Sequence, residues 1–371
     1  MTEIRPYRAI GFLVLLISFS GCIDPIVLPV RESSSDLIVE GFITNEKGPH
    51  TIRLTRAADY QGPTSLSAVN RAENEATVYV RSSIGEVFDF CELGVGHYFS
   101  SADFQARVGE TYTLEIITKG GARYSSLPTT MPQGPNIEEV ILRYKELPSL
   151  ELPTTGVDVF LRFQDVADDP NFYLTFPSNG VYPYTAHPEL GQQFGTICPA
   201  SDETRCFRYE RDYLQPNFRE VTSTGCFVPV FGKLDFLLSS DFLQDGEKIT
   251  TLATFVKDDG RRFEFSYRTK ISLLTLTPEA FGFYDRLASQ LSIEGDIFDP
   301  PPANILGNIL SIDEPNSALG FFGAYYESSE EFYIENDILE FQQAKIKWSG
   351  NCTNLDSSSL VKPLTWTGSS W

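Results

Sequence analysis

The chain has 371 residues, enough for one large or two ordinary domains, and carries 29 Lys and Arg against 50 Asp and Glu, a formal charge of −21. That field has the wrong sign for a phosphate backbone, so no nucleic acid is expected as a partner, and 42% hydrophobic residues exclude a disordered acidic chain. The 28 Phe and 17 Tyr against 2 Met point to packed β-structure rather than helical bundles.

At the N-terminus, Arg5 and Arg8 precede an almost wholly apolar run from Ala9 to Phe19, followed by Ser20-Gly21-Cys22. A basic start, a short apolar run and small residues before cysteine predict a secretory signal peptide over 1–21. The run is about half the ~20 residues a membrane-crossing helix needs. The ending resembles the lipobox of bacterial lipoproteins, with Phe19 where Leu is usual. That resemblance implies acylation of Cys22, and a lipid bilayer as the partner of this end; acyl chains contribute ~0.8 kcal/mol per buried methylene. Residues 22–35, with Pro25, Pro29 and Ser33-Ser34-Ser35, are expected to form the lipidated tether.

Residues 36–130 alternate with period two. Ile52 and Leu54, then Ala76, Val78 and Val80, then Tyr112, Leu114 and Ile116 each face one way, with polar neighbours opposite. Glu46-Lys47-Gly48-Pro49, Ser83-Ile84-Gly85 and Gly120-Gly121 fall at hairpin positions. About seven short strands predict an immunoglobulin-like or transthyretin-like β-sandwich, with a small barrel as the alternative.

Pro128 to Pro135 carries no apolar periodicity and is the expected boundary. Residues 136–371 are then expected to be a larger β-rich domain. Val157, Val159, Leu161 and Phe163 alternate as a strand, as do Phe263, Phe265 and Tyr267 after the turn Asp258-Asp259-Gly260. Between them, 178–225 is rich in Pro, Cys and Tyr and is expected to be a long irregular insertion. Tyr173, Phe176, Tyr182, Tyr184, Phe194, Phe207, Tyr209 and Tyr213 lie in or beside it; such rings suit sugar, peptide or protein contacts, or anchor a loop on a sheet. One amphipathic helix is expected, with Thr277 as N-cap, Pro278 in its first turn, and Ala280, Tyr284, Leu287, Ala288 and Leu291 on its packed face. Ala303–Ile309 and Leu319–Tyr325 are glycine-containing strand candidates. The fold class expected is thus mainly β: a sandwich followed by a β-rich domain with one helix.

Besides Cys22 there are five cysteines. Cys198 with Cys206 is the first disulfide expected, because both lie in one loop, and Cys226 with Cys352 the second; Cys91 is left unpaired. A zinc set of Cys198, Cys206, Cys226 and His187 lacks any CxxC pair, so no metal is expected. Asp165, Asp168 and Asp169 could ligate calcium, but without the EF-hand pattern they are expected to form a solvated turn. His50 and His97 have surface or partly packed settings. There is no GxSxG elbow, Walker loop or Rossmann glycine pattern, and no catalytic residue or cofactor is expected.

Several segments taken together carry a wider likeness: Cys22-Ile23-Asp24-Pro25, Leu37-Ile38-Val39-Glu40-Gly41, Gly295-Asp296-Ile297-Phe298-Asp299-Pro300, Gly307-Asn308-Ile309 and Leu319-Gly320-Phe321-Phe322. Their order resembles the Bacteroidota outer-membrane lipoproteins grouped as domain-of-unknown-function 4249. The resemblance implies a non-enzymatic envelope lipoprotein, often encoded beside a TonB-dependent outer-membrane receptor. Its expected role is that of an accessory subunit to a β-barrel receptor or channel in ligand capture or uptake. A stand-alone glycan- or peptide-binding surface module is the alternative, and an unrecognised hydrolase a third.

Overall fold

The computed structural model describes residues 37–368 apart from 58–71, 149–152, 168–169, 178–179, 187–193, 198–206, 212–217, 220–224, 231–235, 293–304, 314–317, 349–351, 356 and 364–365. The expected signal peptide and tether, with Cys22, lie outside the described residues, as do Cys198, Cys206 and His187.

The first part of the chain folds as β1 (Leu37–Thr44), β2 (Thr51–Arg56), β3 (Thr77–Ser82), β4 (Val87–Gly94), β5 (His97–Phe99), β6 (Thr111–Ile117), β7 (Arg123–Ser126) and the two-residue β8 (Thr129–Thr130). The alternation read in the sequence is the alternation of burial. Ile52, Leu54, Val78, Val80, Tyr112, Leu114 and Ile116 point into one core and are at most 2% exposed. Gly85 and Gly121 take positive φ, +89° and +87°, at the tips of the β3–β4 and β6–β7 hairpins, where a side chain would strain the turn. The strands run in the order β1-β2-β5-β4-β3-β6-β7. Segment 128–135 is held to this unit: Met131 is buried in the same core and its N–H donates to the Glu110 carbonyl at 3.0 Å.

The rest of the chain forms β9 (Ile137–Leu147), β10 (Thr154–Gln164), β11 (Phe172–Pro177), β12 (Gly180–Thr185), β13 (Phe194–Ile197), β14 (Phe207–Arg211), β15 (Phe218–Arg219), β16 (Gly225–Val230), β17 (Leu237–Ser240), β18 (Lys248–Lys257), β19 (Tyr267–Leu276), α1 (Pro278–Leu291), β20 (Ile309–Ser311) and β21 (Ala318–Ile334). A three-stranded sheet, β18-β10-β9, packs over β11, β12, β16, β19 and the end of β21. Val157, Val159, Leu161 and Phe163 of β10 are fully buried between these layers, against Tyr173, Tyr182, Tyr184 and Ile271.

β21 joins the two cores. Ala318–Tyr325 pairs in parallel with β1, and Tyr326–Ile334 pairs antiparallel with β19. Phe322 and Ala324 are therefore buried with the first core and Ile334 with the second. β20, paired with β7, adds Ile309 to the first core. Gly307 and Gly320 make that route passable: a Cβ on Gly307 would sit 1.7 Å from the Gly320 carbonyl oxygen, and one on Gly320, at φ +95°, would sit 1.9 Å from that of Val39.

Four local expectations need correction. Phe263 and Phe265 do not extend the strand: the Asp259 carboxylate accepts from the N–H groups of Arg261 and Arg262 at 3.0 and 2.9 Å, which prolongs the turn until β19 begins at Tyr267. The region 178–225 is not an irregular insertion where it is described, since β12 and β16 pair with each other and β13–β15 form a small sheet. In α1, Thr277 caps as expected, accepting from the Ala280 N–H at 3.3 Å. The packed face keeps the expected Ala280, fully buried, and Tyr284, against Phe236 and Tyr325, but extends to two further aromatic residues, Phe281 on Phe172 and Phe283 stacked on Phe321. Leu291, in the last turn, is 59% exposed. Finally, within 303–309 only Ile309 is in a described strand, because Gly307 and Asn308 are taken up by the close approach to β21.

Candidate functional site

Among the described residues, a group of three carboxylates lies where two turns meet, β10 to β11 and β17 to β18. Asp165, just past β10, is 5% exposed; Asp241, just past β17, is 1% exposed. With the exposed Asp245 they place carboxylate oxygens within 4.8 Å of one another. Asp165 accepts from the Tyr173 hydroxyl and from the Gly246 N–H, the latter at 2.8 Å. Asp241 accepts from the Asn171 N–H at 2.9 Å and returns its own N–H to the Asn171 carbonyl at 3.2 Å. Burial, and then the Asp165 carboxylate, push the Tyr173 phenol far above its ordinary range, so it remains a donor. The carboxylates therefore tie the turns together.

This overturns the solvated turn expected at Asp165. Asp168 and Asp169 lie outside the described residues, and besides the nearby Tyr173 the neighbours of Asp165 come from a segment 76 residues away, Asp241 to Gly246. Oxygen donors of this kind suit a hard divalent cation, and each oxygen of Asp165 already accepts one hydrogen bond within the protein. Sequence reading missed Asp241 and Asp245; the only local signal was the Asp245-Gly246 turn.

The other organised region is the C-terminal segment, strapped over the second core. Cys226 of β16 is bonded to Cys352 across 126 residues of chain, and both are fully buried. The Tyr184 hydroxyl donates to the Ile346 carbonyl at 2.6 Å and accepts from the Trp348 N–H at 2.8 Å. The Gln343 N–H donates to the Asp258 carboxylate at 2.8 Å, and Phe227 and Ser359 exchange backbone hydrogen bonds beside β16. Cys226 is thereby removed from the zinc set weighed above, since a disulfide sulfur is not a thiolate ligand. Cys91 is free and exposed on β4. A recess beside the strap, lined by Asp258, Phe263, Glu264 and Gln343 among others, has space for about one water molecule.

The aromatic residues divide. Tyr173, Tyr182 and Tyr184 are at most 3% exposed and belong to the core, and Phe176 lies edge-on to Phe42. The three tyrosines offer no open stacking platform. Tyr213 is outside the described residues. His50 is buried, edge-on to Phe104, with its Nε2 unpaired, and His97 stacks on Phe99. Among the described residues no helix is long and apolar enough to cross a membrane.

Residues 23–331 match the family described as Domain of unknown function (DUF4249). No curated protein matches the chain.

Proposed function

The chain belongs to the DUF4249 family, and from that premise we propose that it is a bacterial envelope lipoprotein of the Bacteroidota type, anchored at Cys22 to the outer membrane. In this reading it acts without catalysis, as an accessory subunit of a β-barrel receptor or channel of the TonB-dependent kind. The observation that carries the proposal is the order of Arg5 and Arg8, the apolar run Ala9–Phe19, and Ser20-Gly21-Cys22. The buried Cys226–Cys352 bridge supports it, because disulfides persist in oxidising compartments outside the cytosol.

The test is metabolic labelling with a clickable palmitate analogue, followed by affinity capture from detergent-solubilised outer membranes. Label on the wild-type chain, its loss in Cys22→Ala, and a barrel protein in the eluate are expected. An unlabelled chain, or a labelled one that always elutes alone, contradicts the anchor or the accessory role respectively.

A further inference from the structure

The outer face of the corner formed by β7, β20 and β21 is aliphatic. Leu127, Leu306, Leu310, Ile312 and Leu319 are 49, 74, 52, 56 and 42% exposed. Their placement follows from strand parity. Ile309 of β20 and its partner Ser126 of β7 point inward, at 7 and 4% exposure, so Leu310 and Ile312 point outward. The Leu127 N–H donates to the Asn308 carbonyl, which sets Leu127 diagonally across from Leu310 on that same face. Gly307 packs directly on Gly320, and the Asn308 N–H donates to the Gly320 carbonyl, so this edge of the corner lies against β21, where Leu319 is also exposed. Leu319 is in turn the register partner of Ile38, the second residue of β1.

The strip therefore ends where the N-terminal segment enters the fold. Fifteen residues separate Cys22 from Leu37, a distance of at most about 50 Å even when fully extended. Three ion pairs lie around this end among the described residues, in a chain of net charge −21: Arg56 with Glu73 at 2.7 Å, Arg53 with Glu40 at 3.2 Å and Arg123 with Asp313 at 3.0 Å. Exposed aliphatic side chains grouped beside the anchor, with Glu40, Glu73 and Asp313 held in ion pairs, match the acyl boundary of a bilayer.

We propose that the β7–β20–β21 corner rests on the lipid surface, so that acylated Cys22 and this strip together orient the body. The inference relies on the anchor reading above.

The experiment uses the full-length chain, purified from bacterial membranes and reconstituted into vesicles of phosphatidylethanolamine and phosphatidylglycerol carrying brominated acyl chains. Leu310→Trp and Ile312→Trp report on the strip. Ile84→Trp reports on the turn near the Thr44 end of β1, away from Leu37, where the Thr44 carbonyl accepts from Ala106 and Arg107 pairs with Glu86. The unsubstituted chain supplies the background of its three tryptophans, and unchanged melting shows that each variant folds. Quenching at both strip positions is expected to exceed that at position 84 by about threefold or more, as shallow insertion requires. Equal quenching at all positions, in protein shown by mass to be acylated, overturns the corner contact and leaves the anchor standing. Protection at position 310 that appears only when a copurified barrel is added assigns the strip to that protein and overturns the lipid contact. A chain without acyl groups removes the anchor, and this inference with it.

Discussion

Asn308 acts as a strand partner for Phe322: its side-chain amide donates to the Phe322 carbonyl at 2.8 Å and accepts from the Phe322 N–H at 2.9 Å. Its own N–H donates to the Gly320 carbonyl at 3.2 Å. One asparagine thus carries the strand path from β20 back to β21, which is already paired with β1 on its other side. The first core is closed by a side chain as well as by a ladder.

Asn308→Ala leaves the buried N–H and carbonyl of Phe322 without partners. Each unsatisfied backbone group costs ~1–3 kcal/mol, so urea unfolding is expected to show a loss of about 3 kcal/mol. Asn136→Ala, which removes the exposed bond to the Tyr326 hydroxyl, serves as the comparison, and its loss is expected to stay below about 1 kcal/mol. Equal losses would mean that the Asn308 bonds do not close the core.

Gly320→Ala meets two penalties together, the positive φ and a Cβ 1.9 Å from the Val39 carbonyl oxygen. Neither neighbour is a flexible side chain, so β1 and β21 have to separate. The soluble yield should collapse, or the unfolding free energy should fall by more than ~3 kcal/mol. Gly85→Ala, strained in φ with no atom within 4 Å of its Cβ, should lose only ~1 kcal/mol.

Reduction of the Cys226–Cys352 bridge releases 126 residues of chain in the unfolded state. The chain-entropy account puts the stabilisation at about 5 kcal/mol for a loop of that length. Paired denaturation curves of the wild type and of the Cys226→Ser, Cys352→Ser double variant, both without reductant, are expected to differ by ~3–5 kcal/mol. A difference below about 1 kcal/mol would show that the strap is held mainly by Tyr184, Asp258 and their hydrogen bonds.

Tyr173→Phe removes the hydroxyl from the buried Asp165 carboxylate while keeping the ring that packs edge-on to Phe163. The lost bond to a charged acceptor predicts a destabilisation of about 2–3 kcal/mol. Hydrogen exchange should show Gly246, whose N–H shares that carboxylate, opening faster than the β10–β18 ladder. If Gly246 protection is unchanged, Asp165 is not the clamp described above.

His50 predicts a pH dependence. Burial lowers its pKa from 6.5, opposed by the Phe104 carbonyl, the charge of Glu327 and the Glu46 carbonyl. The folded state therefore binds a proton less readily than the unfolded chain, and stability is retained above pH 6.5. It declines as the pH falls from 6.5 toward the lowered folded value, by no more than ~1.4 kcal/mol per pH unit. Unfolding midpoints between pH 7.5 and 5 should fall for the wild type and stay flatter for His50→Gln. Parallel curves would remove His50 as the cause.

Strand alternation was legible because burial of alternate residues is a local property: Ile52, Leu54, Val78, Val80 and the β10 run point inward as their spacing requires. The helix cap at Thr277 was equally local. The packed face of α1 was less legible, because Phe281 and Phe283 have partners on β11 and β21 that helical spacing alone does not name. The Asp165 cluster was only half visible, since it is completed by Asp241 and Asp245 from a distant turn.

Taken alone, the amino-acid order determined a β-rich class, the turns, the helix start and the acidic charge, all of which depend on neighbours a few residues apart. Only the tertiary structure decided that β21 runs beside β1 and passes from one core to the other. It also decided that Asn308 closes the first core, and that Asp165 is completed by Asp241 and Asp245. Those pairings depend on which distant surfaces exclude water together, and no interval along the chain encodes such a meeting.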